Sequence, residues 1–180
     1  MIFYPKSYFN IITDIKADFL LKNNIKAVLL DIDNTLLDRD HNIVEGLEEW
    51  IKNLKKYNIK FCILSNTNSK KKAEKMANML EIPYIFFARK PLKVGFNKAK
   101  KILDIQDNTS IAVVGDQVLT DILGANRNKM YSILVAPLNN NDIFITKFNR
   151  LLEKQILKKY FKQNNIKNQR KTNVKRKGEK

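Results

Sequence analysis

Short apolar runs alternate along this chain with longer stretches whose apolar residues recur every three or four positions. Ala27-Val28-Leu29-Leu30 is apolar at every position, as expected of a strand buried on both faces of a sheet, and stops at the polar cluster Asp31 to Thr35. Ile43, Val44, Leu47, Trp50, Ile51 and Leu54 then recur at helical spacing. A second buried strand is predicted from Ile59 to Leu64, closed by Ser65-Asn66. A helix follows with Ala73, Met76, Ala77 and Leu80 on its inner face. Pro83 breaks the chain before a third strand, Tyr84 to Phe87. A short helix is expected from Phe96 to Leu103, a fourth strand from Ile111 to Val114, a helix from Val118, and a fifth strand from Tyr131 to Val135. Strand–helix alternation with strands apolar throughout predicts an α/β fold: three layers around a mainly parallel five-stranded sheet.

In such sheets ligands bind beyond the carboxyl ends of the strands. The polar residues at those ends are Asp31, Asp33 and Thr35; Ser65 and Asn66; Lys90; and Asp116. They come from distant parts of the sequence, yet the topology should bring them to one edge. Two carboxylates at the Asp31–Asp33 spacing can divide the work of phosphate ester hydrolysis. One attacks phosphorus; the other protonates the leaving oxygen and then activates water. Acids facing a phosphate need balancing charge. Asp116 is placed to join Asp31 around a hard cation, for which carboxylate oxygens suit Mg²⁺. Lys90 can supply a point charge to phosphate and to Asp31, Ser65 and Asn66 can hydrogen-bond phosphoryl oxygens, and Thr35 can orient the same group. Each piece alone is compatible with an ordinary turn or helix cap. Their order, each at a strand end, argues for one site.

These residues resemble the four motifs of the haloacid dehalogenase superfamily of phosphatases: DIDNT at 31–35, SN at 65–66, KP at 90–91 and GDQVLTD at 115–121. NIKAVLLDIDNTLL, ARKPLKVGFNKA and VVGDQVLTDILGANRNKMYSILVAP are similar to the YqeG family, a subclass IIIA branch, over about residues 1–160. The resemblance implies Asp31 as nucleophile and Asp33 as acid/base. It implies Mg²⁺ held by the Asp31 side chain, the Asp33 main-chain carbonyl and Asp116, with Asp121 supporting the metal or orienting Lys90. The phosphate lysine falls on Lys90 rather than Lys93. YqeG-like proteins are in turn similar to the fungal mitochondrial phosphatidylglycerophosphatase, which implies a phospholipid head group as substrate.

Thirty positions separate Thr35 from Ser65, and Asn66 to Lys90 is equally short. One helix and one strand consume each interval, so no cap domain is expected and the site should be open to bulky substrates.

Charge changes the picture at the C-terminus. Residues 146–180 carry thirteen Lys and Arg against two Glu, +11 of the chain's net +16. Leu151, Leu152, Ile156, Leu157, Tyr160 and Phe161 mark one more amphipathic helix, and 162–180 reads as a basic, disordered tail. The expected division is a phosphatase domain over 1–161 and a tail over 162–180. Such a tail fits an anionic membrane surface, each cation there contributing about 1 kcal/mol. It also fits a nucleic-acid backbone, which leaves an RNA- or ribosome-associated protein as an alternative, alongside a phosphatase of small soluble esters. No apolar run approaches the roughly 18 residues that would span a bilayer. The start MIFYPKSYFN lacks a secretory pattern, so a cytoplasmic location is expected, peripheral at the inner membrane face if the tail docks there. Cys62, the sole cysteine, reads as a buried hydrophobe, Trp50 as a core anchor, and His41 as an exposed turn residue.

Overall fold

A computed structural model describes residues 2–139 and 147–164, with side chains of the last helix described from residue 153. The expected alternation is present. The elements in chain order are β1 (Ser7–Phe9), α1 (Ala17–Lys22), β2 (Ala27–Leu30), α2 (Leu47–Lys55), β3 (Lys60–Leu64), α3 (Lys70–Leu80), β4 (Tyr84–Ile85), α4 (Lys93–Leu103), β5 (Ile111–Gly115), α5 (Leu123–Arg127), β6 (Tyr131–Val135) and α6 (Lys147–Gln163).

The sheet has six strands, not five, in the order β1-β6-β5-β2-β3-β4, and all pairings are parallel. The unforeseen strand is β1. It is only three residues long and half-buried, so it lacks the continuous apolar run that marks a central strand. Pairing with β6 defines it, and Asn126 secures it by donating from Nδ2 to the carbonyls of Ile2 and Tyr4.

Successive side chains of a strand leave on opposite faces, and the core divides accordingly. Val28, Leu30, Phe61 and Ile63 face one layer with Leu20 of α1, Trp50 and Ile51 of α2, and Met76 and Leu80 of α3. Ala27, Leu29, Cys62 and Leu64 face the other with Phe96 and Ala99 of α4 and Ala125 of α5. This is the expected three-layer arrangement. Trp50 is the anchor predicted: its Nε1 donates to the Ile15 carbonyl at 2.7 Å and its ring meets Phe61 edge-on. Cys62 is fully buried and its thiol pKa is pushed up to about 12 by burial.

Two boundaries differ from the sequence reading for local reasons. The helix expected from Ile43 begins at Leu47, because Gly46 sits in the left-handed region at φ 73° and ends the preceding turn there. The third strand stops at Ile85, since Phe87 also has a positive φ, 46°, and turns the chain out of the sheet.

Between β2 and β3 there is only α2, and between β3 and β4 only α3, so no cap domain interrupts 31–90. The chain divides into two compact units, Met1–Ile143 and Phe144–Lys180. The second contains α6, the amphipathic helix foreseen near its start. The basic run expected over 162–180 lies outside the described residues beyond Asn164. No helix among the described residues is long and apolar enough to cross a membrane.

Candidate active site

The register of the sheet explains why distant acids meet. Leu30 at the end of β2 lies opposite Ile63 of β3 on one side and Val114 of β5 on the other. The next residues along each strand therefore share one edge: Asp31 after β2, Ser65 after β3 and Asp116 after β5. The Asp31 amide still donates to the Val114 carbonyl at 3.0 Å, which fixes the first acid against the fourth motif's strand.

Asp31, Asp116 and Asp121 each offer a carboxylate oxygen, and these three atoms lie within 4.8 Å of one another. All three residues are buried. Lys90, itself buried, reaches into the cluster and donates from Nζ to Asp31 Oδ1 and to Asp121 Oδ1, both at 2.6 Å. Asp121 Oδ2 accepts from the Gln117 amide at 3.2 Å. Burial pushes the Asp31 carboxyl up to about 7; Lys90 pulls against that and Asp121 adds to it. Burial disfavours the Lys90 ammonium, but Asp121 and Asp31 together outweigh it and hold Lys90 charged above its ordinary range. Two of these carboxylates share the Lys90 ammonium, and Asp116 brings a third acid beside them. A divalent cation would supply the missing charge, and an all-oxygen donor set is the chemistry that hard cations such as Mg²⁺ prefer.

Lys90 is brought to this edge by a clamp. Asn66 Oδ1 accepts from the Lys90 amide at 2.7 Å, and Asn66 Nδ2 donates to the Lys90 carbonyl at 3.0 Å. Both amide ends of Asn66, assigned from sequence to phosphoryl oxygens, are thus engaged by the lysine's main chain. Lys93 is exposed at the start of α4, outside the cluster. Ser65 is buried, and its hydroxyl oxygen accepts from the Thr67 amide at 3.1 Å. Thr35 is buried too, and its hydroxyl makes no hydrogen bond among the described residues.

Asp33 stands apart from the acid cluster. Its side chain is 47% exposed and its Oδ1 accepts from Lys72 Nζ, in the first turn of α3. Sequence reading missed Lys72. It sits in the run Lys70-Lys71-Lys72 behind the helix cap Ser69, where a lysine resembles a solvated surface charge. Gly115 makes room for Asp121. Its φ is not left-handed, and a Cβ there would strike the Asp121 carboxyl group. His41 is exposed in a turn, as expected.

The sequence model of the family described as "Mitochondrial PGP phosphatase" matches residues 1–137. The chain belongs to that family. A Bacillus subtilis (strain 168) relative named "Probable phosphatase YqeG" is 39% identical over 156 residues, covering 86% of this chain and 90% of the relative. Among solved structures, an uncharacterized protein from Listeria monocytogenes serotype 4b superposes with a TM-score of 0.52 at 19% identity. The match covers 74% of this chain and 97% of that one. A β-phosphoglucomutase from Clostridium difficile gives 0.50 at 15% identity, covering 78% and 99%. At these identities the two structures support the fold alone. Family membership makes the chain a phosphatase, a phosphoric monoester hydrolase acting on a phosphorylated substrate.

Proposed function

We propose that this phosphatase works through a covalent phosphoryl-Asp31 and that its substrate is phosphatidylglycerophosphate, the terminal phosphate of which is removed to leave phosphatidylglycerol. The observation that carries the mechanism is the convergence of buried Asp31, Asp116 and Asp121 at the carboxyl edge of the sheet, with Lys90 bonded to Asp31 and Asp121. Asp31 Oδ attacks phosphorus and the bond from phosphorus to the ester oxygen breaks. The leaving oxygen takes the proton of the Asp33 carboxyl. Water then gives a proton to the Asp33 carboxylate and attacks the same phosphorus, which frees inorganic phosphate and restores Asp31.

Lys90 holds Asp31 in line and presents positive charge to the phosphoryl oxygens, and Asn66 fixes Lys90 by its main chain. The Ser65 and Thr35 hydroxyls would donate to phosphoryl oxygens in the same step. Asp31, Asp116 and the Asp33 carbonyl would hold Mg²⁺, with Asp121 supporting it. When bound, the cation offsets the charge of acid and phosphate together.

The substrate assignment rests on family membership and on the absence of a cap between 31 and 90, which leaves room for a lipid head group. The family match spans residues 1–137; in this reading the phosphatase domain is assigned to 1–161, and the basic segment 162–180 adds attraction to an anionic membrane at the cytoplasmic face. The test is release of inorganic phosphate from phosphatidylglycerophosphate vesicles with and without Mg²⁺, beside a panel of nucleotide, sugar and nucleic-acid-end phosphates. Release from the lipid at least tenfold faster than from the panel is expected. Preference for a soluble ester or an RNA end would overturn the substrate assignment and leave the chemistry intact.

A further inference from the structure

Large apolar side chains scattered singly over a surface need no explanation. Here four of them fall within nine consecutive residues: Phe86 at 37% exposed, Phe87 at 54%, Leu92 at 50% and Val94 at 53%. This segment is the one that delivers Lys90. Its pattern is divided by depth, since Ala88 and Lys90 are buried while Phe87, Arg89 and Leu92 are exposed. The left-handed φ of Phe87 and Arg89, 46° and 57°, is uncommon for residues with large side chains, and such conformations cluster where function demands them.

The segment contains no acidic residue. Arg89 and Lys93 are exposed within it, and the Arg89 guanidinium lies 5.0 Å from the centroid of the Phe87 ring. The ridge is also tied to its neighbour. The Phe87 amide donates to the Thr67 carbonyl and the Ala88 amide to the Ser65 carbonyl, both at 2.9 Å. That neighbouring loop leads directly to exposed Lys70 and Lys71. Aromatic and aliphatic tips flanked by cations and free of acids have the composition of an element that lies in a membrane interface. A nine-residue ridge is small beside the roughly 20–30 residues a side of a standard protein interface, but it is large enough to insert a few side chains between lipid head groups.

We propose that residues 86–94 form a membrane-docking ridge, which seats the open site on an anionic bilayer so that Lys90 meets a head-group phosphate without the lipid leaving its leaflet. This inference rests on the lipid-phosphate reading above and adds the surface by which that substrate is reached. It places docking on the catalytic unit itself, in addition to any attraction from the basic C-terminal segment.

The test uses the full-length protein and a Phe87→Ser/Leu92→Ser double variant. Both are sedimented with vesicles of phosphatidylcholine plus phosphatidylglycerol and of phosphatidylcholine alone. Wild-type protein should bind the anionic vesicles, and the double variant at least about tenfold more weakly, given the apolar surface it no longer buries. Arg89→Glu/Lys93→Glu should show a similar loss. Turnover of the water-soluble ester p-nitrophenyl phosphate should be unchanged in both variants, which also reports that they are folded. Equal vesicle binding by wild type and both variants, or no binding by wild type, would overturn the proposal. Failure of the substrate reading looks different: vesicle binding that depends on the ridge, with no phosphate released from phosphatidylglycerophosphate.

Discussion

Individual residues in this site act chiefly by holding one another. Lys90 is fixed at its ammonium by two carboxylates and at its main chain by Asn66, so its position is set from both ends. Gly115 exists to let Asp121 approach the strand. Gly115→Ala should therefore displace the Asp121 carboxyl from Lys90. An overpacked buried site of this kind costs about 1–3 kcal/mol, so thermal unfolding should occur several degrees lower, with a matching loss of phosphatase activity. Lys72 is a second such residue. If it orients Asp33 for proton transfer, Lys72→Met should lower kcat about tenfold, a fraction of the 10²–10⁴ that general acid–base catalysis is worth, and leave KM nearly unchanged. A change confined to KM would assign Lys72 to substrate binding instead.

At the scale of elements, β3 shows what burial does to a reactive group. Cys62 faces the layer formed by α4 and α5 and its thiol is pushed up to about 12. The thiolate is the reactive form, and it is scarce at pH 8 in the folded chain, whereas an unfolded thiol near 9 ionises appreciably. Native protein should thus react with a thiol reagent at pH 8 only as fast as it unfolds, and at once in denaturant. Rapid native reaction would place Cys62 outside the core. The same elements show how much of the architecture was legible. β2 and β5 are continuous apolar runs, and β3 and β6 are broken only by Lys60 and Ser132; burial on both faces leaves that mark in sequence directly. β1 carries no such mark, because an edge strand of three half-buried residues is defined by its partner. Asp31, Ser65 and Asp116 were readable because each directly follows a buried strand, whereas Lys90 lies five residues beyond the end of β4 and reaches the same edge through a turn. The Asn66 clamp, the Gly115–Asp121 contact and the Lys72–Asp33 pair were not, since each depends on where two loops lie in space rather than on a residue's own neighbours.

For the whole molecule, the electrostatic imbalance of the site is the property with the widest reach. Asp31, Asp116 and Asp121 are buried close together beside the Lys90 ammonium, and a divalent cation would offset their charge. Added Mg²⁺ should raise the unfolding temperature in a concentration-dependent way, by about 2.7 kcal/mol of stability at a hundredfold excess over its dissociation constant. Asp116→Asn should remove most of that rise. No shift with any divalent cation would contradict a metal at this cluster. The open edge left by the missing cap, the apolar ridge beside Lys90 and the basic C-terminal segment all favour a substrate presented on a surface. The proposed attack of the Asp31 carboxylate on phosphorus is tested most directly by the rate of phosphate release from an Asp31→Asn protein at saturating Mg²⁺, alongside its unfolding temperature. A fold as stable as wild type with activity at least about 10³-fold lower is expected; release within tenfold of the wild-type rate would contradict it.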